Sequence, residues 1–140
     1  MVGTAFIPAP QIIGSPSICG GIHYTREFTV ASGSTVYAGG ITAVNSSGKA
    51  IPATSSGAIT VVGRAENTAS GGETVRTRSG MFLYSPVSSG AFAANDVNKT
   101  CYVADDHTVT LTGGTAAVVA GVVRDILSDG VVVELGNGPR

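Results

Sequence analysis

The stretch Ile59 to Tyr84, ITVVGRAENTASGGETVRTRSGMFLY, constrains the fold more than any other part of the chain. Ile59, Val61, Gly63 and Ala65 fall on one face at a period of two, and Thr60, Val62 and Arg64 on the other, which is the pattern of a strand. Asn67, Ser70, Gly71 and Gly72 supply turn chemistry, because glycine tolerates positive φ and short polar side chains bond to nearby backbone. The return strand sets Val75 and Thr77 against Thr74, Arg76 and Arg78. Gly80 interrupts it, and Met81, Phe82, Leu83 and Tyr84 form an apolar run stopped by Pro86. The chemistry of this hairpin is packing and pairing. It holds no nucleophile, base or metal cluster, which points to a structural role.

The flanking sequence repeats the theme. Met1 to Ser17 reads as an extended arm, since Pro8, Pro10 and Pro16 remove donors and hold the backbone out of helices and central strands. Its Phe6, Ile7, Ile12 and Ile13 are apolar and need a surface, on this domain or on a neighbour; the neighbour is the preferred reading. Ile22–Ala31 and Thr35–Val44 read as strands, Asn45–Gly48 as a turn, and Lys49–Ala53 as a return. Pro86–Lys99 holds at most a short helical turn. Two more hairpins follow, one about Asp105-Asp106 and one about Leu127-Ser128-Asp129-Gly130. The expectation is an all-β chain, a single β-barrel or β-sandwich of antiparallel hairpins, with residues 1–30 as arm and first strand and 31–140 as the domain.

An internal echo runs through it. Val62-Gly63-Arg64 followed by Gly72-Glu73-Thr74-Val75 matches Ala120-Gly121-Val122 followed by Asp129-Gly130-Val131-Val132. The hairpins Ile41–Ala53 and Cys101–Thr112 precede each. Two similar meanders packed together are expected. Gly63 and Gly121 would mark the bulges or bends that close them.

Only 12% of the 140 residues are charged, against about 25% in an average soluble domain. The net charge of −1 lacks the basic excess that nucleic-acid binding leaves. So few charges suit a surface partly covered by sister subunits or a larger body, or one where Ser and Thr stand in for charge. No apolar run approaches the roughly 18 residues of a membrane helix, and the N-terminus has no secretory pattern. Cys19 and Cys101 form no disulfide framework and no metal motif.

Asp105-Asp106-His107 gathers the ligand-type side chains, and it reads as a turn whose members point apart. Cys101, beside Tyr102 and Val103, reads as a buried small hydrophobe. His23 and His107 lie far apart with no paired nucleophile, and no phosphate loop, zinc helix or nucleophile elbow occurs. No catalytic, cofactor or metal residue is expected. Arg64, Arg76 and Arg78 form a basic stripe, either a solvated face that discourages edge pairing or a dock for an acidic surface.

Gly63-Arg64-Ala65, the run from Gly72 to Pro86, Asp96 to Val103, Val119 to Asp125 and Asp129 to Gly136 together resemble the small capsid cement or decoration proteins of tailed bacteriophages. The resemblance covers about Ala31 to Gly136. It departs at Asn98-Lys99-Thr100, where the family runs more directly into its Val-Tyr strand, and the arm is longer than the family leads one to expect. The resemblance implies a protein made in the host cytoplasm and carried on the outer surface of the virion. Its partners would be the major capsid protein and itself, as a homotrimer, with no enzyme activity, nucleic acid or membrane involved. The partner-binding residues expected are Phe6, Ile7, Ile12, Ile13, Arg64, Arg76 and Arg78. The competing reading is a carbohydrate- or receptor-binding module of a phage fibre, which the absence of Trp and the four Tyr disfavour.

Overall fold

The structure is a computed structural model that describes residues 25–86, 92–114 and 116–136. Its strands are β1 (Thr25–Thr29), β2 (Thr35–Val36), β3 (Ile41–Val44), β4 (Ala50–Pro52), β5 (Thr60–Ala65), β6 (Ala69–Ser70), β7 (Thr74–Arg78), β8 (Gly80–Pro86), β9 (Thr100–Asp105), β10 (Thr108–Thr110), β11 (Val119–Leu127) and β12 (Gly130–Leu135). A 3-10 turn, Ala94–Asp96, lies within Pro86–Lys99, the stretch read as holding at most a short helical turn. The Asp96 carboxylate fixes it, accepting from the Ala93 N–H at 2.7 Å and from Lys99 Nζ at 2.9 Å.

Two five-stranded units account for nearly all of these strands. The first is a sheet in the order β1-β7-β5-β3-β4, and the second is a closed barrel in the order β8-β12-β11-β9-β10. Neighbours in both are antiparallel, with one exception that closes the barrel. There β10 meets β8 in parallel, Thr108 opposite Ser85 and Val109 opposite Pro86. The sheet nearly closes the same way, through a parallel bridge between Val30 and Ala50. The all-β expectation holds, and the outcome is a small closed barrel beside a five-stranded antiparallel sheet. The strand grouped with the arm belongs to the first sheet, because β1 pairs with β7 along its whole length.

The units correspond strand for strand. Thr42 faces Gly63 and Ala43 faces Val61, so Val62 is an extra residue on β5. Cys101 faces Gly121 and Tyr102 faces Val119, so Ala120 is an extra residue on β11. Each echoed glycine therefore ends a β-bulge, and the bulge bends its strand. Glycine is required at both because backbone passes very close. A Cβ on Gly63 (φ +150°) would stand 2.5 Å from the Arg78 carbonyl oxygen, and one on Gly121 would run into the Glu134 carbonyl oxygen. The bulge also breaks the regular alternation read along β5. Ile59 and Val61 join the barrel's core with Val103, Val123, Val133 and Leu135, whereas Ala65 joins a smaller core with Val30, Ala50 and Val75.

Only Ser79 separates β7 from β8, and Gly80, at φ +144°, turns the chain from one unit into the next. Polar bonds then lock the seam. The Ile41 N–H donates to the Asp106 carbonyl at 2.6 Å, the Gly57 N–H to the Ala116 carbonyl at 3.3 Å, and the Tyr84 hydroxyl to the Gly39 carbonyl at 3.2 Å.

Gly121→Ala should lower unfolding stability by about 2–3 kcal/mol, because an added methyl group must displace backbone. Gly114→Ala, where a Cβ meets nothing within 4 Å, should stay within about 0.5 kcal/mol of wild type. Urea unfolding of the two variants checks this. Equal stabilities would show that the barrel tolerates a straightened β11.

Candidate functional site

The repeat allows the same surface to be compared in both units. In an antiparallel pair, directly opposed residues share a face. On the first sheet the outward rows hold Thr25 opposite Arg78 and Glu27 opposite Arg76. On the barrel the matching rows hold Met81 opposite Glu134 and Leu83 opposite Val132. Leu127, opposite Gly130, and the exposed Asp125, opposite Val132, lie on the same barrel face, so one carboxylate borders the apolar side chains.

The first face is polar and largely self-neutralised. Arg64 pairs with Glu66 at 2.9 Å, and its guanidinium carbon lies 4.2 Å from the centre of the Phe82 ring. Arg76 pairs with Glu27 at 3.2 Å. Arg78 has no ion pair among the described residues, although it stands opposite Arg64. The stripe read from the sequence thus divides into three fates. Arg64 is tied to the seam between the units, Arg76 is bound on the outer surface, and Arg78 is open to solvent. Phe6, Ile7, Ile12 and Ile13 lie outside the described residues.

The barrel face is built differently. Met81 is 40% exposed, and Leu83 and Leu127 are each 47% exposed. Val132, between Leu83 and Asp125, is half-buried, and the Leu83 side chain leans over Gly130. Glu134 on this face is buried and accepts from Arg124 Nε at 2.7 Å, so its charge does not reach the apolar rows. Tyr37, Val97 and Val119 are also exposed; single residues of that kind are ordinary, whereas neighbouring ones form a patch. Sequence reasoning missed this face. The signal was present in Met81-Phe82-Leu83-Tyr84, since a strand with four successive apolar residues must turn two of them outward.

Asp105, Asp106 and His107 converge, contrary to the expectation that turn neighbours diverge; their ligand atoms lie within 4.8 Å of one another. The contacts are those of a turn. The His107 N–H donates to the Asp105 carboxylate at 3.0 Å, and His107 Nδ1 lies 2.9 Å from Asp106 Oδ1. Cys101 is fully buried, and burial pushes its thiol up to about 12, which leaves it unreactive at neutral pH. Burial also drives the Tyr84 hydroxyl well above its usual range, against the pull of Arg64. A shallow groove of about 420 Å³ is lined by Ser55, Tyr102, Thr110, Thr112 and Gly113. It contains no charged side chain, and Gly113 packs against the Tyr102 ring. No helix among the described residues is long and apolar enough to cross a membrane.

Comparisons with protein-family models, with curated proteins and with solved structures returned no match.

Hydrogen bonding to Asp106, aided by the charge of Asp105, raises the His107 pKa above its ordinary value. The folded state therefore holds this proton more tightly than the unfolded chain does. The resulting stabilisation is complete below the unfolded value of about 6.5 and is lost as pH rises through the folded midpoint. An NMR titration should place the His107 midpoint above about 6.5, and Asp106→Asn should lower it. A midpoint that does not respond to Asp106→Asn would remove the carboxylate as the cause.

Proposed function

We propose that this protein is a structural component of a tailed-phage virion that binds the outside of the head and bridges neighbouring major capsid protein subunits. One observation carries the reading: a fold repeated within one chain shows two opposite surface chemistries at matching positions. The first unit presents ion pairs and Arg78, while the second presents Met81, Leu83, Val132 and Leu127 with Asp125 at their border. A brace needs two unlike contact faces held at a fixed separation. In this reading the polar face meets the shell and the apolar face meets sister copies in a homotrimer. The low charge content and the sequence resemblance to cement proteins support it.

The mechanism involves no chemical step. Packaged DNA presses outward on a shell, and a protein spanning two subunits adds interface free energy that must be lost before they separate. Repeated copies reinforce one another because each trimer engages several sites at once. The groove beside Tyr102 gives a carbohydrate-binding reading a location, but a ring already packed by Gly113 leaves little stacking surface for a sugar.

Purified protein mixed with expanded, undecorated heads should bind saturably and raise the temperature at which filled particles burst. Arg78→Glu should weaken that binding about three- to tenfold and flatten its salt dependence. Saturation of a glycan with no affinity for heads would overturn the proposal in favour of the carbohydrate reading.

A further inference from the structure

The apolar barrel face has a place for an occupant, and the chain's own path leads towards it. Strand β1 is antiparallel to β7, with Thr25 opposite Arg78. Because only Ser79 stands between β7 and β8, the residues before Thr25 would meet Ser79 and then β8 if the register continued. One edge of β8 is taken by β12 from Gly80 to Tyr84. The other edge is paired, among the described residues, only at Ser85 and Pro86. The described chain therefore begins beside an open strand edge, at the border of the apolar rows.

Twenty-four residues precede that point, including the apolar pairs Phe6-Ile7 and Ile12-Ile13. At about 3.3 Å per extended residue, Ile13 stands some 40 Å of chain ahead of Thr25. The seven residues of β8 span only about 23 Å. An arm following this edge carries its apolar pairs past its own barrel. Pro8, Pro10 and Pro16 oppose a tight helical recoil that would bring them back.

We propose that the face formed by Met81, Leu83, Val132 and Leu127 is the seat for the N-terminal arm of a neighbouring copy, docked through Ile12 and Ile13. The contact is heterologous, arm to seat, and three such contacts close a ring without a face-to-face pair. The proposal rests on the self-association part of the function proposed above but not on shell binding, so it can be tested in solution without heads.

The test uses full-length chains. Wild type should show a mass that rises with concentration towards three chains by sedimentation or light scattering. Ile12→Asp and Leu83→Asp should each weaken association at least about tenfold, with unchanged circular dichroism, since each removes a buried aliphatic contact. Mixing the two variants should restore hetero-association, because one supplies an intact arm and the other an intact seat. A second experiment places Ile12→Cys and Leu83→Cys in a Cys19→Ser background. Oxidation should give covalent multimers. A monomeric wild type, a mixture that stays monomeric, or a disulfide formed only within one chain would each overturn the proposal. If association survives Leu83→Asp, the copies meet elsewhere and the seat is wrong, whatever the outcome of the head-binding assay.

Discussion

Close backbone contact at two bulges is the constraint on which this architecture turns. A five-stranded sheet of three- to nine-residue strands has too little width to curl gradually, so one strand must bend sharply. At Gly63 the β5 backbone lies against the Arg78 carbonyl, and at Gly121 the β11 backbone lies against that of Glu134. A side chain at either point would hold the strands apart. The hydrophobic contribution depends on this closure, because Val103, Val123, Val131 and Val133 are shielded only when β10 returns to β8. Burial supplies the larger free energy, but the glycines decide whether that burial is geometrically available.

Duplication of one plan makes the surface differences informative. Exposed ion pairs contribute roughly 0–1 kcal/mol each to folding, and exposed Leu or Met contributes little, so neither face is needed to hold its sheet. The inward residues, by contrast, remain alike: Phe28 matches Tyr84, Val75 matches Val131 and Ala65 matches Val123. Folding explains the shared interior. It leaves unexplained why Glu27 and Arg76 in one unit correspond to Leu83 and Val132 in the other; the brace proposed above would account for it through contact with different partners.

Much of this plan was legible in the sequence. The paired glycine motifs located both bulges, and the asparagine and glycine turns located the hairpins. Asn45 bears this out, its side chain accepting from the N–H groups of Ser47 and Lys49 at 3.0 Å. What escaped was whatever depends on distant neighbours. The match of β1 to β8 was hidden because Arg26 and Glu27 share no chemistry with Phe82 and Leu83. The parallel closure joins segments whose relation no local pattern records. The arginine stripe was visible, but its neutralisation by Glu27 and Glu66 required cross-strand register. The apolar face was concealed because an unbroken apolar run such as Met81 to Tyr84 does not record which alternate residues face outward.

The connection through Ser79 and Gly80 bears on how such a molecule could act as a brace. Two units joined by a long linker would let their faces drift, and much of any bridging free energy would be spent on fixing them. Here the last strand of one unit passes almost directly into the first strand of the other. Tyr84 reaches across to Gly39, Ile41 bonds to Asp106, and Arg64 spans from Glu66 to the Phe82 ring. Each bond is modest alone, about 0.5–1.5 kcal/mol for a neutral pair, but they lie on different strands and restrain different rotations. The polar face and the apolar face are therefore held in a fixed relation before any partner arrives. Orientation entropy that a flexible tether would lose on binding is already absent, and weak contacts at either face can add to one another.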